Sequence, residues 1–240
     1  MGEVGVLVVL AAMAGAFTWL VVKGRDIARQ RDFDRSVHAR KLGWTYDGKR
    51  DGRIDYRFAG DADGIAWKMW HDSDRGDNSP TPRAYWASAN LQTPALALVI
   101  IGQRRYRLES GLIGQILMGV VSGVAQATVG GEARSDKSEF YQTAVELKSG
   151  RPGFHERFAV LVAPDMPRGW IDDELQSLLL AWPEVGAVRT FSSEDCVEVS
   201  LRAGGLQIVA QRMPQQFACW EHLAKLGVHL AQHLSSLSAR

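Results

Sequence analysis

The sequence predicts an α+β protein in which an N-terminal transmembrane helix precedes a mostly antiparallel sheet domain packed with helices. Three observations support this fold class. Residues 4–22 carry no charge, apolar residues recur at every second position from Trp44 onward, and two later segments repeat them at helical spacing. The 240 residues, 46% of them hydrophobic, suffice for a substantial core. The predicted parts are an anchor (1–23), a juxtamembrane helix (24–43) and two α+β subdomains (44–131 and 132–240).

The apolar run at the N-terminus, Val4 to Val22, matches the roughly 20 residues that a helix needs to cross a bilayer. A cleaved signal peptide is the alternative, but it would need a basic n-region, and only Glu3 carries a charge before the run. Basic residues follow at once, beginning with Lys23, and such residues are retained on the cytoplasmic side. We therefore expect an uncleaved signal-anchor in the cell (inner) membrane, single-pass, with the N-terminus outside and the soluble domain cytoplasmic.

The juxtamembrane segment, Arg25 to Lys41, is rich in helix-forming residues and is followed by Gly43, a residue type that closes helices in the left-handed conformation. Arg25, Arg29 and Arg35 are candidates for contact with anionic lipid headgroups, each contributing on the order of 1 kcal/mol near the surface. A solvated linker is the alternative, because acidic residues in the same segment offset part of the charge.

Period-two alternation predicts the strands of the first subdomain. Residues 54–58 and 65–69 alternate apolar and polar side chains around the turn residues 60–64, which predicts a hairpin. Further strands are predicted over 85–91 and over 95–101, a continuous apolar run typical of a strand covered on both faces. With the strands of the second subdomain, these elements build either two small sheets or one composite sheet.

The segment 111–129 has two interpretations. Its length suits a second transmembrane helix, and Gly119 and Gly123 would allow another helix to approach closely. Polar residues on one helical stripe, among them Gln115 and Ser122, instead favour a nearly buried helix or a helix at the membrane surface. A second span would place the C-terminal half outside the cell.

The second subdomain combines both periods. Acidic residues at 172–174 suit the first turn of a helix, and leucines on one face of the last helix predict packing on the sheet. Each half offers a helix, a short strand and a hairpin, which leaves a remote duplication of 29–70 and 171–213 open. The predicted elements are strands over 140–147 and 157–162 with a turn at 149–153, a helix over 171–182, a hairpin over 197–208 and a final helix beginning near Pro214.

Three stretches of the C-terminal half stand in a characteristic order: FHERFAVLVA (154–163), WIDDELQSLLLAW (170–182) and the hairpin around Ala203-Gly204-Gly205. In this order, and in its anchor, the sequence resembles bacterial single-pass membrane-anchored proteins of unknown function. The resemblance covers roughly the last third of the chain plus the anchor. It implies a span, a basic juxtamembrane stretch and a domain in which a strand leads to a helix and a hairpin, and it implies no activity.

Three histidines of the last helix, His222, His229 and His233, lie on one stripe beside its leucine face. His229 and His233 are one helical turn apart and could share a metal ion, whereas His222 lies roughly 10 Å away along the axis. The pattern itself favours boundary histidines of an amphipathic helix, and the shared metal ion is the alternative. A third ligand would have to come from elsewhere. The candidates for it are His155, Glu156 and His71.

The polar stretch WHDSDRGDNSPTP (70–82) looks like a cation-binding loop but fails as a calcium site. Counted from Asp72, its positions 5, 6 and 12 hold Gly76, Asp77 and Arg83, where an oxygen ligand, a glycine and a glutamate are needed. A solvated turn explains the composition. The candidate contacts for a binding partner are Trp70, His71, Asp72 and Asp74.

Composition and motifs narrow the function. The 28 basic and 27 acidic residues nearly cancel, so we expect no nucleic-acid partner. Phosphate-binding loops, nucleophile elbows and paired cysteines are absent from the sequence, and no cofactor is predicted. We expect a membrane-tethered cytoplasmic interaction or ligand-binding module rather than an enzyme, with the lipid bilayer and a protein at the membrane as partners. The alternative is a metal-dependent or hydrolytic enzyme that uses His229 and His233.

Overall fold

The computed structural model describes residues 2–73, 82–91, 93, 95, 97–102, 140–148, 151–167, 169–182, 197–211, 213 and 215–238. Within these residues the chain forms four helices and nine strands. In chain order they are α1 (Gly2–Lys41), β1 (Thr45–Asp47), β2 (Ile54–Ala62), β3 (Ile65–Asp72), β4 (Arg83–Ser88), β5 (Leu98–Gly102), β6 (Val145–Glu146), α2 (Pro152–Arg157), β7 (Phe158–Val162), α3 (Asp173–Leu180), β8 (Val197–Arg202), β9 (Gly205–Gln211) and α4 (Phe217–Ser238).

The described strands form one antiparallel sheet in the order β1-β2-β3-β4-β9-β8-β5-β7-β6. The predicted α+β class with a mostly antiparallel sheet is confirmed. Of the two sheet arrangements left open by the sequence, the composite sheet is the one observed, because β4 pairs with β9 and β5 lies between β8 and β7. The strands of the two predicted subdomains therefore share one sheet, and the predicted boundary at residue 131 lies outside the described residues.

The predicted first hairpin is confirmed by the pairing of β2 with β3. The two-residue connection consists of Asp63 and Gly64, with φ angles of 54° and 79°. Positive φ at both positions is the requirement of a type I′ turn, whose twist matches that of the flanking strands. The side chain of Asp61 stabilises the turn by accepting a hydrogen bond from the Gly64 N–H at 3.2 Å.

Helix α4 covers one face of the sheet, where most of the core lies. Alternate side chains of the strands point to this face, among them Phe58, which meets Trp220 of α4, and Trp86, which lies under Gly227 of the same helix. Each large apolar side chain buried here stabilises the fold by about 1.5–3 kcal/mol. On the opposite face, Val99 and Ile101 of β5 join a second buried cluster. The strand predicted to be covered on both faces is thus confirmed.

Helix α1 is continuous over Gly2–Lys41 and contains the predicted anchor from Gly2 onward and the predicted juxtamembrane helix up to Lys41. Its end is a Schellman motif, in which Trp44 donates to the Ala39 carbonyl at 2.8 Å and Gly43 donates to the Arg40 carbonyl at 3.1 Å. Gly43 has φ of 73°, as predicted from its position. Among the described residues, no helix has the length and hydrophobicity of a membrane span.

The C-terminal third of α1 is fixed to the domain by polar contacts. The Arg35 guanidinium lies 3.9 Å from the ring centroid of Tyr56 and donates a 2.9 Å hydrogen bond to the side chain of Gln215. The Tyr46 hydroxyl donates to the Asp32 carboxylate at 2.7 Å. Burial and the neighbouring Asp32 carboxylate raise the pKa of Tyr46, so the hydroxyl keeps the proton that it donates.

Two predicted elements of the C-terminal half are wrong. Residues 140–147 do not form one strand, because residues 140–143 make a helical turn closed by the hydrogen bond from the Ala144 N–H to the Phe140 carbonyl at 2.8 Å. The Phe140 side chain packs in the cluster on the outer face of the sheet, which stabilises this turn. Part of the predicted turn at 149–153 is instead the start of helix α2, where Pro152 suits the first helical position. The segment 111–129 lies outside the described residues.

Candidate metal centre

Asp172 begins helix α3 and is the first member of the candidate site. Its backbone is extended, with φ of −100° and ψ of 175°, and its Oδ1 accepts a 2.7 Å hydrogen bond from the Leu175 N–H. This is an N-cap, which satisfies one of the amide groups that a helix leaves unpaired at its start. The cap fixes the direction of the carboxylate before any ligand binds.

His229 and His233 lie on successive turns of α4 and face this carboxylate. The Nε2 atom of His229 is 3.0 Å from both carboxylate oxygens of Asp172, and the Nε2 atom of His233 is 3.1 Å from Oδ2. The two imidazole ring centroids are 4.5 Å apart. The packing of α3 against α4 therefore brings one carboxylate and two imidazoles to a common point.

The three groups have the spacing of a metal-binding cluster. One ligand atom from each of Asp172, His229 and His233 can be chosen so that all three lie within 4.8 Å of one another. Ligand atoms at about 2.0 Å from a tetrahedral zinc ion are about 3.3 Å apart. The observed separations between nitrogen and oxygen need to change by only a few tenths of an ångström to reach that value.

The electrostatics of the site keep a negative charge on Asp172. Burial opposes ionisation of this carboxyl, but the Leu175 N–H and the two histidines together outweigh burial and lower the Asp172 pKa. A metal ligand must be deprotonated, and this carboxyl meets that condition at neutral pH. The side chains are 33% (Asp172), 13% (His229) and 36% (His233) exposed, so an ion can reach the cluster from solvent.

A second carboxylate, Glu174, lies on the other side of His229. Its Oε2 is 3.8 Å from the Nδ1 atom of His229, and its Oε1 is 3.2 Å from the ammonium of Lys225. Lys225 precedes His229 by one turn of α4, so both side chains point towards the first turn of α3.

The structure brings together the two predicted ligands and adds one that the sequence reasoning missed. The third member is Asp172, not His155, Glu156 or His71. Its sequence signal was that of a helix start, and the 57 positions between Asp172 and His229 gave no spacing by which to join them. His222 was expected to stand apart, and its Nε2 contacts the Leu178 carbonyl at 2.8 Å.

The predicted partner contacts around Trp70 do not converge. Trp70 lies on the outer face of the sheet and stacks on Tyr85 at 4.9 Å, beside a cavity of about 400 Å³. His71 follows Trp70 in β3 and points to the opposite face, towards α4, because neighbouring residues of a strand point to opposite faces. It is buried there and contacts Asp55 at 3.1 Å. Asp72 ends β3, and Asp74 lies outside the described residues.

The three arginines proposed for lipid contact have different environments. Arg25 and Arg29 are exposed on α1, and Arg29 is 3.9 Å from Asp26. Arg35 is only 14% exposed and is held by Tyr56 and Gln215 as described above. Its guanidinium therefore serves the attachment of α1 to the domain, which leaves Arg25 and Arg29 as headgroup candidates.

The sequence matches no family model, and comparisons with curated proteins and with solved structures gave no significant similarity. The resemblance to bacterial single-pass membrane-anchored proteins stays a prediction.

Proposed function

We propose that this protein is a membrane-tethered domain that binds a divalent transition-metal ion, of the zinc class, through Asp172, His229 and His233. The observation that carries the proposal is the convergence of two imidazoles and one carboxylate within 4.8 Å. The carboxylate is positioned by the cap of α3 and the imidazoles by adjacent turns of α4, so the ligands are preorganised.

The donor set selects the class of ion. Two imidazole nitrogens with one carboxylate suit zinc, ferrous iron, nickel or copper, whereas calcium and magnesium prefer oxygen ligands. Among these metals, zinc accepts such a set without a geometric preference of its own. A bound zinc ion would add two positive charges to a cluster in which Asp172 supplies one negative charge.

The membrane tether is supported by the sequence and by the surface of α1. Residues 4–22 are uncharged, and large apolar side chains of the helix are exposed where they can be described. Exposed apolar residues in such a row indicate contact with lipid or protein. The proposed orientation places the metal cluster in the cytoplasm, with Arg25 and Arg29 near the headgroups. The exposed apolar residues are Met13, Phe17, Trp19, Leu20, Val21 and Val22.

A second candidate function is a hydrolytic enzyme that uses the same metal ion. It is favoured by the number of ligands, because three protein ligands leave a tetrahedral ion one position for water or substrate. Zinc at such a position lowers the pKa of its bound water and generates a nucleophile at neutral pH.

Metal titration of the full-length chain in detergent tests the proposed function. We expect one zinc ion per chain, measured by calorimetry and by elemental analysis after dialysis, and loss of that ion in Asp172→Asn, His229→Ala and His233→Ala. The matched control is His38→Asn, which removes an exposed imidazole on α1. Absence of stoichiometric zinc in the unaltered chain, or equal binding by the His229→Ala variant, would refute the proposal.

Reporter fusions test the tether separately. We expect reporters placed after Ser110 and at Arg240 to lie on the cytoplasmic side, and removal of residues 1–23 to release the protein from the membrane fraction. Reporters on opposite sides would place the metal cluster outside the cell. Retention of the shortened chain in the membrane would contradict the proposed anchor.

A further inference from the structure

His229 stands between two carboxylates that approach its two different nitrogen atoms. Asp172 is 3.0 Å from Nε2, and Glu174 is 3.8 Å from Nδ1. The lone pairs of the two imidazole nitrogens point away from each other, so a single ion cannot be coordinated through both of them. A metal ion held by Nε2 and Asp172 therefore leaves Glu174 on the side of the ring away from the ion.

We infer that Glu174 is the outer carboxylate that orients His229 for metal binding, an inference that rests on the proposed function. A neutral imidazole that coordinates through Nε2 carries its proton on Nδ1. An N–H in this position usually donates to a carboxylate or carbonyl, which fixes the tautomer and the ring orientation. Glu174 is the carboxylate that faces this nitrogen.

The distance fits an outer partner that closes on the ring when the ion binds. A hydrogen bond between nitrogen and oxygen has a length of about 2.7–3.2 Å, so the 3.8 Å separation between Nδ1 and Oε2 has to shorten by about 0.6–1.1 Å. Glu174 is half exposed, and rotation of its side chain can supply this movement. The ion itself stays with Asp172, His229 and His233.

Lys225 holds Glu174 near this position. Its ammonium is 3.2 Å from Oε1, while Oε2 is the oxygen that faces His229. One carboxylate thus contacts two side chains one turn apart on α4. The neighbouring Asp173 points elsewhere, because its carboxylate is 3.3 Å from Arg151.

Asp173 provides a matched control for the test, because Asp173→Asn and Glu174→Gln remove the same charge from the same turn of α3. In the full-length chain, we expect Glu174→Gln to weaken zinc binding 10–100-fold, the usual effect of losing an outer partner. Asp173→Asn should weaken it by less than about twofold. Lys225→Met, which keeps Glu174, should stay within about threefold of the unaltered chain.

A second readout separates orientation of the ring from a general effect on the fold. Cobalt(II) bound at the same site reports the ligand geometry through its visible absorption bands, which should shift in Glu174→Gln and not in Asp173→Asn. The metal-free variants should unfold at the same temperature. Equal affinity and equal cobalt spectra for Glu174→Gln and Asp173→Asn would overturn the inference while leaving the metal site intact. Failure of the unaltered chain to bind zinc would instead remove the proposed function, and the inference with it.

Discussion

Helix α4 approaches the sheet closely at Gly227, which lies over the indole ring of Trp86 on β4. A Cβ atom added at position 227 would be 2.3 Å from the Cδ2 and Cε2 atoms of that ring. Carbon atoms normally approach to about 3.5 Å, so helix and ring would have to separate by about 1.2 Å. Trp86 is completely buried, and the close packing of protein interiors leaves such a ring little room to move.

Gly227→Ala is therefore expected to destabilise the protein by about 2 kcal/mol. Overpacking of a core typically costs 1–3 kcal/mol, and an overlap above 1 Å against a fixed ring places this change near the upper end. Replacing glycine by alanine inside a helix stabilises it by about 1 kcal/mol, so the net loss is smaller than the cost of overpacking by that amount.

Urea unfolding of the full-length chain in detergent, followed by tryptophan fluorescence, measures the difference. The matched control is Gly24→Ala in α1, where an added Cβ meets nothing within 4 Å and helix propensity alone predicts a small gain. The double variant Gly227→Ala/Trp86→Phe should lose less stability than the two single variants lose together, because the smaller ring makes room for the added methyl group. Unchanged stability of Gly227→Ala would refute the close approach of α4 to the sheet.

The remaining predictions concern the cap of α3, a buried amide and pH. In metal-free protein, Asp172→Ala should lower the free energy of unfolding by about 1 kcal/mol, the usual effect of a lost N-cap, as measured by urea unfolding. Gln176→Ala should cost about 1–3 kcal/mol in the same assay, because the buried side chain accepts the Arg151 N–H at 2.8 Å and its loss leaves that donor unpaired. Burial lowers the pKa values of His71 and His222 below 6.5, so the unfolded chain binds more protons than the native chain just below that pH. This contribution to stability should accordingly be complete above pH 6.5 and fall as the pH drops below that value. A shallower decline is expected in His71→Gln, and an equal decline would contradict the buried neutral imidazole.

The parts of the fold that were predicted correctly have local causes. The β2–β3 hairpin follows from alternation around a turn containing Gly64, and the end of α1 follows from Gly43. The order of strands in the sheet has no such local cause. The pairing of β4 with β9 depends on how the faces of distant strands fit under α4, and the alternating pattern of each strand is compatible with many neighbours. Phe140 shows the same limit, because an apolar residue in a short segment suits a strand or a helical turn equally.

The candidate site also has a part that the local sequence predicts and a part that depends on the packing of distant elements. The spacing of His229 and His233 within one helix was sufficient to place them together, because helical geometry fixes their separation. Asp172 has the sequence appearance of an ordinary helix cap, and it also has that role in the structure. Its contact with the histidines arises from the packing of α3 on α4, which no local pattern encodes.

The interleaved order of the strands has a consequence during protein synthesis. Partner residues of β4 and β9 are about 120 positions apart, so at roughly 5–20 residues per second β4 leaves the ribosome about 6–24 s before its neighbour is made. Throughout that interval one backbone edge of β4 lacks its native neighbour β9. Both edges of β5 likewise lack their native neighbours until β7 and β8 have been made. A chain that stalls before β8 would present these strands to other nascent chains, so we expect interrupted translation to yield aggregates, whereas completed chains form the nine-stranded sheet.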